Sequence, residues 1–254
     1  MRRLAVVFIM GVALAASGCL DVQESITLNR NMSGQAGFVM NVDGEPLVPF
    51  MAQMQRQMAG KSGPPTAADL AAARAAMLKD ADASDDFEKD KRDMQQHLPA
   101  GVKLLNASYN KNGLKSTANV SVSFDNAAAL GAIVFDQGDK QEGGPGNPVS
   151  QPFDGLKVVD DGQTLLITSA IVNPAEGAKA QAQQMPMDPA MQKQFATLLS
   201  GMHVAVKITA PFTVLEQNAT RQEGNTLIWE FDSAHLQSMT PDQLKSGIRV
   251  RYKK

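Results

Sequence analysis

Cysteine and tryptophan each occur once in the 254 residues, tyrosine twice and histidine three times. A lone cysteine, Cys19, excludes an internal disulfide and any metal site built from several thiolates. The histidines, His97, His203 and His235, stand far apart without His-x-x-x-His spacing, which removes the commonest zinc signature. No Gly-x-Ser-x-Gly, Gly-x-Gly-x-x-Gly or phosphate loop occurs, so no hydrolase elbow, dinucleotide fingerprint or nucleotide-triphosphate cradle is present. An excess of one charge is missing too: 24 basic residues meet 26 acidic ones, and a nucleic-acid footprint is not expected. These absences predict a protein that is not an enzyme, carries no cofactor and has no nucleic-acid partner.

What is present begins at the N-terminus. Arg2 and Arg3 precede the apolar segment Leu4–Ala15, and Ala16, Ser17 and Gly18 are small residues directly before Cys19. That order is an export signal with its cleavage site. A permanent membrane span needs about 20 apolar residues, and polar residues set in by Ser17. The end of the signal resembles a bacterial lipobox. The resemblance implies cleavage between Gly18 and Cys19, with Cys19 acylated, palmitate being one such chain, as the mature N-terminus. Two or three acyl chains anchor a protein stably where one does not. Leu20 stands where inner-membrane retention often uses aspartate, so the periplasmic face of the outer membrane is favoured over the inner membrane. With residues 1–18 removed, 22 basic residues face 26 acidic ones, a net charge of −4.

The mature stretch 19–254 is expected to be one domain. Val22, Ile26 and Leu28 alternate with polar residues, Asn31–Gly34 supplies a turn, and Ala36, Phe38, Met40 and Val42 alternate again, predicting a hairpin. Helical periodicity follows over 47–59, 66–80 and 85–97, the second helix opened by Thr66 and Asp69 as a capping box. Strands are predicted over 102–110 and 114–124, then 156–159 and 163–172 across Asp160-Asp161-Gly162. Further strands are predicted over 203–210, 226–231 and 248–252, with helical pieces between Asn173 and Gly201 and a helical turn at Thr240–Gln243. Residues 136–152 hold Gly-Gly-Pro-Gly and little that is apolar, predicting a mobile loop. Hairpins with segregated helices define α+β: a mainly antiparallel, curved sheet with helical insertions.

Methionine is the one soft side chain in quantity, with 14 copies. Met51, Met54 and Met58 recur at helical spacing, and Met185, Met187 and Met191 cluster around Pro186. Thioethers suit Cu(I), but three- and four-residue spacing is also what one helix face in a core, or over an apolar ligand, requires. Met51, Met54 and Met58 are therefore the candidate apolar-ligand face, and Cu(I) handling is the weaker alternative. Asp80, Asp82 and Ser84 start like a calcium loop, but Asp85 and Lys91 occupy its glycine and glutamate positions, which leaves an acidic helix start. His203 shares a strand face with Ala205, Lys207 and Thr209, a solvent-facing placement. Arg249, Arg251 and Lys253 line one face of the last strand, which suits headgroup contact or, more simply, a charged face that protects a sheet edge. Trp229 shares its face with Leu227 and Phe231 and is expected in the core, with Glu230 opposite.

Several of these elements together resemble the LppM-like lipoprotein domain family. The likeness lies in the hairpin 21–42 with Gly34, in 114–124 after a polar turn, and in Ile208-Thr-Ala-Pro211 followed by Asn218 and Thr226-Leu-Ile-Trp229. Phe212 stands after Pro211 where the family has glycine. The resemblance implies an envelope-anchored α+β domain that binds apolar or lipid molecules, with no catalytic residues to carry over. The expected function is a membrane-anchored lipoprotein that binds or presents an apolar ligand; the alternative is an assembly partner that docks another envelope protein.

Overall fold

The computed structural model describes residues 20–80, 84–132, 156–169, 201–232, 235, 239–240 and 247–254. Cys19, the signal segment, the 136–152 loop, the helical pieces between 173 and 200, and Met185, Met187 and Met191 lie outside the described residues. So do most of the Thr240–Gln243 turn and the middle of the calcium-like stretch. Among the described residues, no helix is long and apolar enough to cross a membrane.

Among the described residues, eleven strands form two sheets. β1 (Leu20–Leu28), β2 (Gly34–Asp43), β3 (Val102–Asn112), β4 (Lys115–Phe124), β7 (His203–Thr209), β9 (Arg221–Glu223) and β10 (Thr226–Asp232) build the larger, in the order β3-β4-β2-β1-β7-β10-β9. β5 (Lys157–Asp160), β6 (Thr164–Ser169), β8 (Thr213–Gln217) and β11 (Ile248–Lys253) build the smaller, in the order β5-β6-β11-β8. The fold is α+β, as the periodicities predict, and every described strand pair is antiparallel except β1 with β7. That parallel pair, the division into two sheets, and strands β8 and β9 go beyond the sequence reading.

The two sheets share one core. Leu20, Val22, Ile26 and Leu28 of β1, Ala36, Phe38 and Val42 of β2, and Val122 and Phe124 of β4 join one buried cluster with Leu165 and Ile167 of β6, Val250 and Tyr252 of β11, and Leu227, Trp229 and Phe231 of β10. Trp229 is 1% exposed and its neighbours on that face are equally buried, in agreement with the alternation. Ile228, on the other face, is buried as well. The Tyr252 hydroxyl is buried with no hydrogen-bond partner among the described residues, and burial pushes its pKa far above that of an ordinary phenol.

The helices follow the predicted periods: α1 (Leu47–Met58), α2 (Ala67–Asp80) and α3 (Ser84–His97). Val48 and Ala52 of α1 pack on Ala73 of α2 and on Leu114 in the β3–β4 turn. At the opening of α2 the capping box is complete: Thr66 N donates to Asp69 Oδ2 at 2.8 Å while Asp69 N donates to Thr66 Oγ1 at 3.3 Å. α3 lays Met94 on Ala107 and Val120 and stacks Phe87 on Tyr109, with ring centroids 5.7 Å apart.

Candidate functional site

Three places carry more than packing. The first is the outer face of the large sheet, where register lines up Asn110, Thr117, Asn41, Asp21, His203 and Asp232 across six strands. Thr117 Oγ1 donates to Asn41 Oδ1 (2.9 Å), Asn41 Nδ2 and Gln23 Nε2 donate to Asp21 Oδ2 (3.2 and 3.0 Å), and His203 Nδ1 lies 2.9 Å from Asp21 Oδ1. Burial alone would raise the Asp21 carboxyl; the hydrogen bonds from His203, Gln23 and Asn41 outweigh it and hold the group below its ordinary value. His203 is half-exposed as the strand pattern predicts, but partnered, a pairing across 182 residues that no local pattern announces. A His–Asp pair is part of a nucleophilic constellation. The nearest outward hydroxyl on β1, Ser25, is four residues along from Asp21, roughly 13 Å at strand rise, and its Oγ is directed to Gly37 O.

The methionines of α1 come next. Met54 is buried, Met51 is half-buried against α2, and Met58 is 68% exposed. Helical spacing puts them near one another in sequence projection, yet each meets a different environment. The sequence spacing alone could not separate them, because the position of α2 decides which side of α1 is covered.

The third is a groove of about 880 Å³ between the edges of the two sheets, lined by Phe212, Val214, Leu215 and Glu216 of the β7–β8 segment and by Gln222 and Asn225. It exists because the chain leaves β7 at Ala210 and crosses to β8 in the small sheet, then returns to β9 and β10 in the large one. Leu215 is 49% exposed, and β8 slips its register against β11 between Arg251 and Tyr252. Phe212 packs against Tyr252 at 6.2 Å between centroids, so this ring lies between groove and core. β8, and not β11, is the edge here: Arg249 and Arg251 sit on an interior strand and reach Glu216 of β8 at 3.8 and 3.7 Å. The edge-protecting role expected for the arginine face is thereby corrected, because the strand that takes the edge, β8, lacks the alternation that would have announced it.

Asn218, just past the groove, ties the region together. Its side-chain oxygen accepts from Trp229 Nε1 (2.9 Å) and Arg249 N (2.8 Å), and its Nδ2 donates to Gly247 O (2.7 Å). Among the described residues, no group of three or more His, Cys, Asp or Glu is placed to hold a metal ion.

An α+β domain of two sheets with a shared core and a groove between their edges is the class these observations define. The solved NMR structure of the folded domain of LppM from Mycobacterium tuberculosis is similar to it: 11% sequence identity over 92% of this chain and 90% of that one, with a TM-score of 0.43. That protein lies in the family the sequence resembles. The match brings neither a ligand nor a residue role to this chain. No family model and no curated protein sequence matches the chain.

Proposed function

We propose that the protein is a non-enzymatic envelope lipoprotein, anchored through acylated Cys19 at the periplasmic face of the outer membrane, that binds or presents an apolar or lipid ligand. The signal Arg2–Gly18 supports the anchor. The ligand class rests on one observation, the apolar strip of half-exposed Leu215 beside Phe212 and Val214 in a groove whose further lining residues, Thr213, Glu216, Gln217, Gln222 and Asn225, are polar and suit a ligand with a polar head. The reading does not use the Met51–Met54–Met58 face as the site, since Met54 is buried and Met58 points outward.

A domain secreted with a cleavable signal in place of residues 1–19 can be purified without detergent. Lipid extraction and mass spectrometry of that protein is expected to show a co-purifying lipid near one per domain, lost on Leu215→Asp. The edge of β8, without a strand partner on its outer side among the described residues, favours a second reading, a protein partner that adds a strand there. A lipid-free domain that retains an envelope protein on affinity capture would support this docking role over the first.

A further inference from the structure

No chain is left over for a tether between Cys19 and the fold. Leu20 is already the first residue of β1, 2% exposed, in the fourth of seven strands of the large sheet. Consecutive Cα atoms are about 3.8 Å apart, so an acylated Cys19 brings the end of a central strand to within about one residue of the headgroups. On the basis of the acylation proposed above, we infer that the domain stands end-on against the lipid surface, on the end of the large sheet that carries the β3–β4 turn, and holds the groove on the opposite side.

Register identifies what stands at each end. Leu20 pairs with Val42, Val42 with Ser116, and Ser116 with Lys111, so these residues share one level. The β3–β4 turn continues past that level through Asn112, Gly113 and Leu114 before β4 begins at Lys115. Its exposed tip, Asn112 and Gly113, overshoots Leu20 by one to two residues, roughly 3–7 Å at strand rise, within the depth of a headgroup layer, while Leu114 is buried against α1 and α2. The turn carries Lys111 and Lys115, the latter 2.9 Å from Asp43, and Asp21 and Asp232 stand one level in, so the rim is mixed in charge and it is the position of Leu20, not a cationic patch, that sets the orientation. At the other end β1 finishes at Leu28, β7 at Thr209, and β10 starts at Thr226, where Pro211, Phe212 and Asn225 line the groove. Gln222 pairs with Leu227, Leu227 with Ile208 and Ile208 with Ile26, six rises of about 3.3 Å from Leu20, so the groove lies ~20 Å from the level of the anchor. Whatever enters it comes from the aqueous side and not laterally from the anchoring leaflet.

Lipidation occupies the sulfur of Cys19, so an introduced cysteine is the only thiol in the acylated protein. Asn112→Cys and Gln222→Cys both replace exposed residues, one on the rim and one in the groove. Each full-length acylated variant is labelled with a fluorophore and reconstituted into phosphatidylethanolamine–phosphatidylglycerol vesicles that carry a nitroxide on the headgroup. Strong quenching at position 112, at least several-fold above that at 222, is expected. Equal quenching, or more at 222, overturns the orientation. Mass spectrometry of the N-terminal peptide is run on the same samples: an unmodified Cys19 overturns the anchor and the orientation together, whereas an acylated Cys19 with equal quenching overturns the orientation alone.

Discussion

Asn218 shows how much can depend on one side chain that is neither large nor charged. Its carboxamide satisfies the indole N–H of a fully buried tryptophan and pins Arg249, the second residue of β11. Asn218→Ala leaves the indole N–H buried without an acceptor and is expected to cost ~1–3 kcal/mol in denaturant unfolding. Trp229→Ala is expected to cost ~3–5 kcal/mol. The wild-type indole, being enclosed, is expected to fluoresce at short wavelength, with a red shift in Asn218→Ala; an emission maximum typical of indole in water in the folded wild type would contradict the register described. The burial of Trp229 was legible in Leu227, Phe231 and the period of two. The part played by Asn218 was not, because its partners Gly247 and Arg249 lie about thirty residues downstream and no local pattern connects them.

Asp69 is a second residue whose role is local and was therefore legible. The Thr66 hydroxyl, the Thr66 N–H and then the Arg56 guanidinium hold its carboxyl well below the usual range. Its folded-state pKa is depressed relative to about 3.9 in the unfolded chain. The stabilisation is therefore complete above about pH 4 and is lost as pH falls through the lower, folded value. Thermal melts between pH 7 and pH 2 are expected to show a steeper acid loss in the wild type than in Asp69→Asn. Parallel curves would remove Asp69 from the account of α2.

At the scale of elements, helices and hairpins were legible almost to the residue, because a buried stripe or an alternating face is written into the order of apolar side chains. β8 and β9 were not. β8 buries only half of Val214 and exposes Leu215 at a register slip, and β9 is Arg-Gln-Glu, held by backbone pairing to β10. Neither strand has an inward face for the sequence to mark. Pairing partners were equally silent, since alternation says which face is buried but not which strand lies beside it. The groove, made by those two strands, was for this reason invisible in the sequence. Gly34 belongs to the same scale. A Cβ there would collide with the Thr27 carbonyl oxygen and the Phe124 ring, where β1, β2 and β4 meet. Gly34→Ala is expected to lower stability by ~1–3 kcal/mol or more, because two of the three strands must separate to admit one methyl. Gly113→Ala is a useful contrast: its Cβ meets nothing, so the loss should be confined to the cost of its positive φ. Equal losses in chemical denaturation for the two variants would show that steric conflict is not what Gly34 avoids.

For the whole molecule, the decisive variant is Cys19→Ser. It should abolish incorporation of labelled fatty acid and the detergent-phase partitioning of the mature-length protein. Retained label in Cys19→Ser would place the acyl chain elsewhere. Replacing Met51, Met54 and Met58 together by Leu should cost under ~1.5 kcal/mol per position and least at exposed Met58, with no tight Cu(I) binding in either protein by chelator competition. Sub-micromolar Cu(I) affinity that disappears in the triple variant would turn the molecule into a metal handler.

The parallel contact between β1 and β7 has a temporal meaning. Its partners are 182 residues apart at Asp21 and His203, so the centre of the large sheet cannot close until four fifths of the chain is available to it. Contacts of that separation form late, since loop closure comes before any reward from pairing. β2 can join β1 early, but the other side of β1 waits. On the acylation proposed above, that interval is when Cys19 would be processed, since neighbouring Leu20 is enclosed once β7 docks. A late pairing at the centre of the sheet would leave a window for that proposed maturation, and a chain shortened before His203 should then be processed at Cys19 yet never complete its fold.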